Sequence, residues 1–292
     1  MKKKILQLAL GILIVMGLSY FCDAQTKGFR LQEILSDIPN DSEWEVEPLS
    51  SNDHKEVLQK LNQTFRYLGS GDQSHAFLGE DQKTVLKFFR HNDLSLLKIL
   101  SKFPGSIDTW LWHLIKKYDP RMVFESCKLA YQEIQDQTGI SCLHLNKTEG
   151  QFRSVVLVDN GGIAYTIDLD KTEFMVQDYC ELATSRIDAR MKKGDIQGAQ
   201  AAVVSLFQAI EEWSRKGVHI DNPALKRNIG FCGDKVIMLD VGSLKKDEVL
   251  MTQDQIKKEV KHVTRSLGRW IYKKHPTLFP SFEQELGEKI IP

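Results

Sequence analysis

Three short runs rich in β-forming residues follow one another between Phe65 and Phe89, and the connections between them are only a few residues long. Residues 65–68 lead into Gly69-Ser70-Gly71, residues 74–78 form the second run, Glu80-Asp81-Gln82-Lys83 makes a turn, and Thr84-Val85-Leu86-Lys87-Phe88-Phe89 is the third. Connections this short join antiparallel neighbours, because a parallel crossover needs a dozen or more residues. A three-stranded antiparallel meander is therefore expected at 65–89.

More strands are expected at 142–145, 152–158, 164–169 and 173–179, with Asn160-Gly161-Gly162 as a hairpin turn. Helical patterns lie around them. Residues 94–117 read as an apolar helix holding Trp110 and Trp112. Asp119 and Pro120 then open a helix with Val123, Cys127, Ala130 and Ile134 at helical spacing and Gly139 at its end. Past residue 180 the chain turns helical. Asp195 caps a helix whose stripe is Ile196, Ala199, Val203, Leu206, Phe207, Ile210 and Trp213, closed by Gly217. Two short strands surround Ile229 and Val236. A last helix at about 253–274 carries Ile256, Val260, Val263, Leu267 and Trp270 on one face. The fold class is α+β, an antiparallel sheet with one packed helix followed by a small, mainly helical half.

Hydrophobic residues make up 42% of the 292 and charged residues 27%, enough apolar material for a sizeable core. Lys plus Arg and Asp plus Glu are 39 each, so net charge gives no electrostatic reason for a nucleic-acid partner. The N-terminus is Met1-Lys2-Lys3-Lys4 followed by a tight apolar run at 8–18, with Cys22-Asp23-Ala24 as a small-x-small cleavage context before Gln25. Residues 1–24 read as a signal peptide or signal-anchor that inserts in the membrane during export, leaving the folded part extracytoplasmic, secreted or membrane-anchored. Residues 25–62 are polar and read as a linker-like extension with one helix. Cys127, Cys142, Cys180 and Cys232 contain no C-x-x-C pair. They could form up to two disulfides or serve as small buried hydrophobes.

Three elements carry chemical potential. Glycines at 69 and 71 would let backbone N–H groups approach phosphate oxygens. Lys87 on an apolar strand must either snorkel to water or meet an anion. Asn228 and Asp240, at the ends of short strands, offer hard oxygen ligands suited to Mg²⁺ carried by a nucleotide.

In this order the elements resemble the protein-kinase-like superfamily, over about residues 63–245. Gly69, Gly71, Ser74 and Ala76 stand in the Gly-rich loop, Val85-Leu86-Lys87 in the place of V-A-I-K, and His219-Ile220-Asp221 in that of H-R-D. Asn228 and Asp240-Val241-Gly242 follow in the places of the catalytic-loop Asn and of D-F-G, and 174–179 looks like the hinge strand, with Gln177 and Tyr179 beside an adenine. The resemblance implies a two-lobed fold, with a sheet lobe at 63–180 and a helical lobe at 181–292. It also implies ATP and Mg²⁺ as cofactors. Lys87 would contact phosphates, Asp221 would act as base, and Asn228 and Asp240 would hold the metal. The expected activity is transfer of the γ-phosphate to a hydroxyl of a small molecule, glycan or protein. A non-catalytic exported binding module or scaffold is the alternative.

The pattern departs from the family at several places. Ser74 replaces the third glycine, and Val241 replaces Phe. No A-P-E follows, and about fifty residues remain after Gly242. Asp221 and Asn228 are seven positions apart, against about five in H-R-D-L-x-x-x-N. Either the loop carries two extra residues around Asn222-Pro223 or Asp221 is out of register. Glu125 and Glu133 both compete as the partner of Lys87.

Overall fold

A computed structural model describes residues 28–91, 121–220, 225–247 and 252–287. The leader expected at 1–24, the apolar helix expected at 94–117, the Asp119-Pro120 helix start and Asp221 lie outside the described residues. Among the described residues no helix is long and apolar enough to cross a membrane. The chain is α+β and clusters into two units, Met1–Pro120 with His144–Val176, and Arg121–Leu143 with Gln177–Pro292. Element order alone suggests a single break near residue 180. The structure instead draws 121–143 into the second unit.

The first unit is built on a sheet. Strands β1 (Thr64–Ser70), β2 (Ser74–Gly79) and β3 (Thr84–Phe89) form the expected antiparallel meander, with Phe65 opposite Gly79 and Ala76 opposite Lys87. With β4 (Ile140–His144), β5 (Ser154–Val158), β6 (Ala164–Asp168) and β7 (Phe174–Asp178) the order is β4-β7-β3-β2-β1-β5-β6. The sheet is mixed, which corrects the all-antiparallel expectation: β1 runs parallel to β5, with Thr64 opposite Val156 and Arg66 opposite Val158. Hairpins dictate antiparallel pairing only between neighbours in sequence. The span from β1 to β5 is long enough for the crossover that a parallel pair requires. The Asp81 carboxylate holds the β2–β3 turn, accepting from the Lys83 and Thr84 amides and the Thr84 hydroxyl. Burial works against its charge, but these bonds prevail and lower its pKa to about 2.

Residues 28–61 are not a linker. Helix α1 (Ser51–Leu61) is capped by the Ser50 hydroxyl, which accepts from the Asp53 amide. Phe29, Ile34, Trp44, Val57 and Leu61 are all buried. The Phe29 ring meets those of Tyr67, His75 and Phe77 at centroid distances of 5.2–5.5 Å. The Glu33 carboxylate takes the His75 imidazole at 2.8 Å and the Arg90 guanidinium at 2.9 Å, and Ser36 donates to Glu173. These apolar residues follow no period of 2 or 3.6 over a useful length, so the segment reads as polar while its few large side chains anchor it. Burial pushes the Glu33 carboxyl up. The His75 hydrogen bond and the Arg90 charge outweigh it, so its pKa lies below the ordinary value.

The second unit is mainly helical. It contains α2 (Arg121–Glu133), α3 (Gln135–Thr138), β8 (Glu181–Leu182), α4 (Ala183–Lys192) and α5 (Ile196–Arg215). Then come β9 (Val218–Ile220), α6 (Leu225–Asn228), β10 (Ile229–Cys232), β11 (Lys235–Met238), β12 (Leu244–Lys246), α7 (Gln253–Lys274) and α8 (Phe279–Leu286). Asp195 caps α5 as expected, accepting from the Gly198 amide at 2.9 Å, and Gly139 ends α3 with φ 63°. On α5 every stripe residue is buried except Ile196, which is exposed. On α7, Ile256, Val260, Val263 and Leu267 are buried, but Trp270 is only half-buried, and Gly268 and Ile271 take the core positions. Gly268 does so because a Cβ there would lie 2.7 Å from the buried Phe282 ring.

Trp44→Ala is expected to cost about 3–5 kcal/mol, read from the urea midpoint, whereas a tryptophan on a linker would cost almost nothing. The Glu33 contribution is fully present above the ordinary glutamate value and is lost as pH falls through the lower folded value. The stability gap between wild type and Glu33→Gln is therefore expected to close in acid.

Candidate functional site

In the first unit, Gly69 and Gly71 sit where β1 gives way to β2. A bulge falls between Tyr67 and Gly69, and the Gly71 amide donates to the Ser74 carbonyl at 2.9 Å. Arg90 donates from Nη1 to the Gly71 carbonyl at 3.3 Å. Neither glycine has a positive φ, and a Cβ at either would meet nothing within 4 Å. The local fold therefore has no need of glycine at these two positions, and the space above them is open. Ser74, in the place of a third glycine, is half-buried and pairs across the ladder with Phe89.

Lys87 lies opposite Ala76 on β3. Its same-face neighbours Val85 and Phe89 are 5% and 2% exposed, and Leu86 and Phe88 on the other face are fully buried. Lys87 itself is half-buried. Both faces of β3 are thus covered, and the ammonium is held in a largely apolar strand, where a charge calls for an anion or a path to water.

In the second unit the residues picked from sequence converge. The Asn228 carbonyl accepts from the Leu239 amide at 2.7 Å and from the Asp240 amide at 3.4 Å, which closes the open end of the β10–β11 hairpin and sets Asn228 beside Asp240. Asp240 is exposed, and its Oδ1 accepts from the Gly242 amide at 3.2 Å. Just beyond, β12 pairs antiparallel with β9, with Leu244 opposite Ile220 and Lys246 opposite Val218. The strand that leads into 221–224 is therefore paired to the strand that leaves Asp240-Val241-Gly242. The Ile220 amide donates to Glu259 on α7 at 3.2 Å. His219 lies 2.7 Å from Asp247 and 3.7 Å from Glu259, in an ionic cluster.

Two further contacts hold this arrangement, and neither has a signal in the linear sequence. The buried Ser126 hydroxyl on α2 donates to the Val241 carbonyl and accepts from the Leu244 amide at 2.6 Å, clamping the segment after Asp240. Gly230 leaves room for β8: a Cβ there would lie 2.6 Å from the Glu181 carbonyl oxygen. Cys180 and Cys232 form a disulfide that ties the segment after Tyr179 to the end of β10. Cys127 and Cys142 are buried and lie outside the disulfide, and burial pushes the Cys142 thiol up to about 12. One disulfide thus forms, and two cysteines serve as small core residues.

Gln177 is 1% exposed, and its Nε2 donates to the carbonyls of Thr138 at 2.6 Å and Met238 at 3.1 Å. Its side chain is an internal anchor, leaving only its backbone for any ligand. Tyr179 is exposed. Glu133 is paired with Lys246, while Glu125 is exposed and makes no ion pair among the described residues. Among the described residues no group of three His, Cys, Asp or Glu side chains could hold a metal by itself. Asn228 and Asp240 supply two hard oxygens, a set that fits a cation whose remaining ligands arrive with phosphates and water.

Neither a protein-family model nor a curated protein matches the chain. Among solved structures, WbdD in complex with the kinase inhibitor LY294002 is 13% identical over 77% of this chain, with a TM-score of 0.34. A second WbdD structure, described as a bifunctional kinase-methyltransferase, is 14% identical over 75% of this chain, with a TM-score of 0.32. The chain spans less than half the length of these proteins, 46% and 43%. The complex of Rv3197 with erythromycin from Mycobacterium tuberculosis is 11% identical over 97% of this chain and 75% of that one, with a TM-score of 0.36. Likeness at this level establishes neither a family nor an activity.

Ser126→Ala removes both bonds of the clamp and is expected to cost about 1–3 kcal/mol. Gly230→Ala is expected to destabilise the second unit more severely, because the blocking atom is backbone. Paired chemical denaturation curves would rank the two.

Proposed function

We propose that this chain is a kinase-like phosphotransferase that moves the γ-phosphate of ATP, with Mg²⁺, to a hydroxyl of a small molecule, glycan or protein. The observation that carries the reading is the convergence in the second unit. Asn228 and Asp240 sit side by side at the end of one hairpin, and β9, which leads into Asp221, pairs with the strand leaving Asp240-Val241-Gly242. Phosphoryl transfer depends mainly on positioning and charge neutralisation, and neighbouring Asn228 and Asp240 would suit a metal that neutralises phosphate charge.

In this reading Asn228 and Asp240 hold the metal, which would neutralise phosphate charge. Lys87 contributes a held cation to the phosphates. Gly69 and Gly71 leave their amides open to close approach, with Ser74 completing the turn. The backbone around Gln177 and Tyr179 receives the adenine. Asp221 accepts the hydroxyl proton. Glu125 and Glu133 both remain candidates to orient Lys87, and Glu133 is also paired with Lys246.

A second reading is supported by the Cys180–Cys232 disulfide. Such bonds persist in oxidising compartments, in keeping with the export proposed from residues 1–24. Bacterial extracytoplasmic spaces generally lack ATP, so an exported chain could keep the arrangement as a binding module or scaffold without transfer.

Thermal-shift titration separates nucleotide binding from its absence. Millimolar Mg-ATP is expected to raise the melting temperature of the wild type, and Lys87→Ala and Asp240→Ala are expected to abolish the rise. Gly71→Ala is expected to leave the melting temperature without nucleotide unchanged and to weaken the response to nucleotide. No rise in the wild type would sink the phosphotransferase reading.

A further inference from the structure

The second unit contains a cavity that none of the residues discussed so far explains. Its volume is about 410 Å³, and it is lined by Lys226, Ser266, Arg269, Trp270, Lys273 and Lys274. That volume falls within the roughly 300–1,000 Å³ range of small-molecule pockets. Five of the six residues recur at i, i+3, i+4, i+7 and i+8 along one side of α7, and Lys226 comes from α6. Trp270 stands here because it has left the core face that its spacing would assign to it.

The charge is one-sided. Lys274 is paired with Asp188, which also takes His275. Lys226, Arg269 and Lys273 have no carboxylate partner among the described residues. Basic residues in a last helical turn complement the helix dipole, which accounts for Lys273 and Lys274. It does not account for Arg269 a turn earlier, nor for Lys226 on another element. Three cations without a carboxylate partner among the described residues face one cavity, which favours a ligand carrying an oxyanion.

Two further features specify the rest of the ligand. The Ser266 hydroxyl oxygen is buried and has no hydrogen-bond partner among the described residues, and such a group calls for one. The half-buried Trp270 offers a flat apolar surface, with Lys274 Nζ 5.5 Å from its ring centroid and His275 edge-on at 5.3 Å. Cations, a hydroxyl and an aromatic platform together suit a ring with one apolar face, several hydroxyls and a charged substituent.

We propose that this cavity binds an anionic saccharide, a sugar carrying a phosphate or carboxylate group. The site needs no nucleotide, and on the phosphotransferase reading it bears on the transfer reaction, because Lys226 shares the four-residue α6 with Asn228. A sugar held there would place the acceptor hydroxyls on the element that carries a proposed metal ligand.

The test is isothermal titration of the whole chain, without nucleotide or Mg²⁺, with glucose 6-phosphate, glucuronate, glucose, inorganic phosphate and ATP as separate probes. Binding of either anionic sugar at least tenfold tighter than glucose and inorganic phosphate is expected, weakening with salt. Arg269→Ala and Lys273→Ala, both on exposed side chains, should each weaken it about tenfold, and Trp270→Ala should weaken the sugar more than inorganic phosphate. Asp240→Ala should leave it intact while abolishing the Mg-ATP thermal shift, so the two readings fail separately. The proposal is overturned by no anionic sugar binding at millimolar concentration, by equal binding of glucose or of inorganic phosphate, by tighter binding of ATP that depends on Trp270, or by binding indifferent to Arg269 and Lys273.

Discussion

The second unit depends on a single backbone group, the carbonyl of Asn228. By accepting from the amides of Leu239 and Asp240 it closes the β10–β11 hairpin at the end where its polar residues lie. Buried backbone groups must be paired, so the ladder from Ile229 to Cys232 and the exit at Asp240 are set together. Asn228 and Asp240 are thereby neighbours along the backbone at one end of the hairpin. Ser126 on α2 then holds Val241 and Leu244, and the pairing of Ile220 with Leu244 brings in β9. A constellation separated in sequence becomes compact through hydrogen bonds that no side-chain pattern announces.

Much of the local structure was legible because it rests on short-range rules. The meander at 65–89, the Asp195 cap, the left-handed Gly139 and the hairpin at Asn160-Gly161-Gly162 each follow from a few adjacent residues. What was not legible is long-range. The parallel pairing of β1 with β5 is a choice between edges. The Ser126 clamp joins positions 115 or more residues apart. Helical periodicity puts Trp270 on the buried stripe of α7. The stripe instead turns through Gly268 and Ile271, because a long straight helix drifts relative to a fixed repeat and because Phe282 needs the space at Gly268.

The N-terminal segment shows the limit of composition as a guide. Its polar character is real, yet a handful of large side chains decides its place. Phe29 enters an aromatic cluster, and Glu33 pairs with the buried His75 ring and with the Arg90 guanidinium. Removing one partner from such a set leaves the others buried and unpaired, so its worth exceeds that of a surface ion pair. The site residues divide along similar lines. Gln177 and Gly230 are required by packing whatever the function. Gly69 and Gly71 have no such packing duty visible around them, so they can report on ligand binding without also reporting on folding.

The disulfide connects location to this architecture. Cys180 and Cys232 are 52 residues apart, and the closed loop contains α4, α5, β9 and α6. Closing a loop of that length reduces the entropy of the unfolded chain by an amount equivalent to about 4 kcal/mol in the chain-entropy account. That is a large share of the roughly 5–15 kcal/mol stability of an ordinary domain. The bond also holds β8 against β10 at the place where Gly230 admits the Glu181 carbonyl. The redox environment therefore acts on the hairpin that carries Asn228. In a reducing cytosol the same sequence would present that hairpin on a less stable unit.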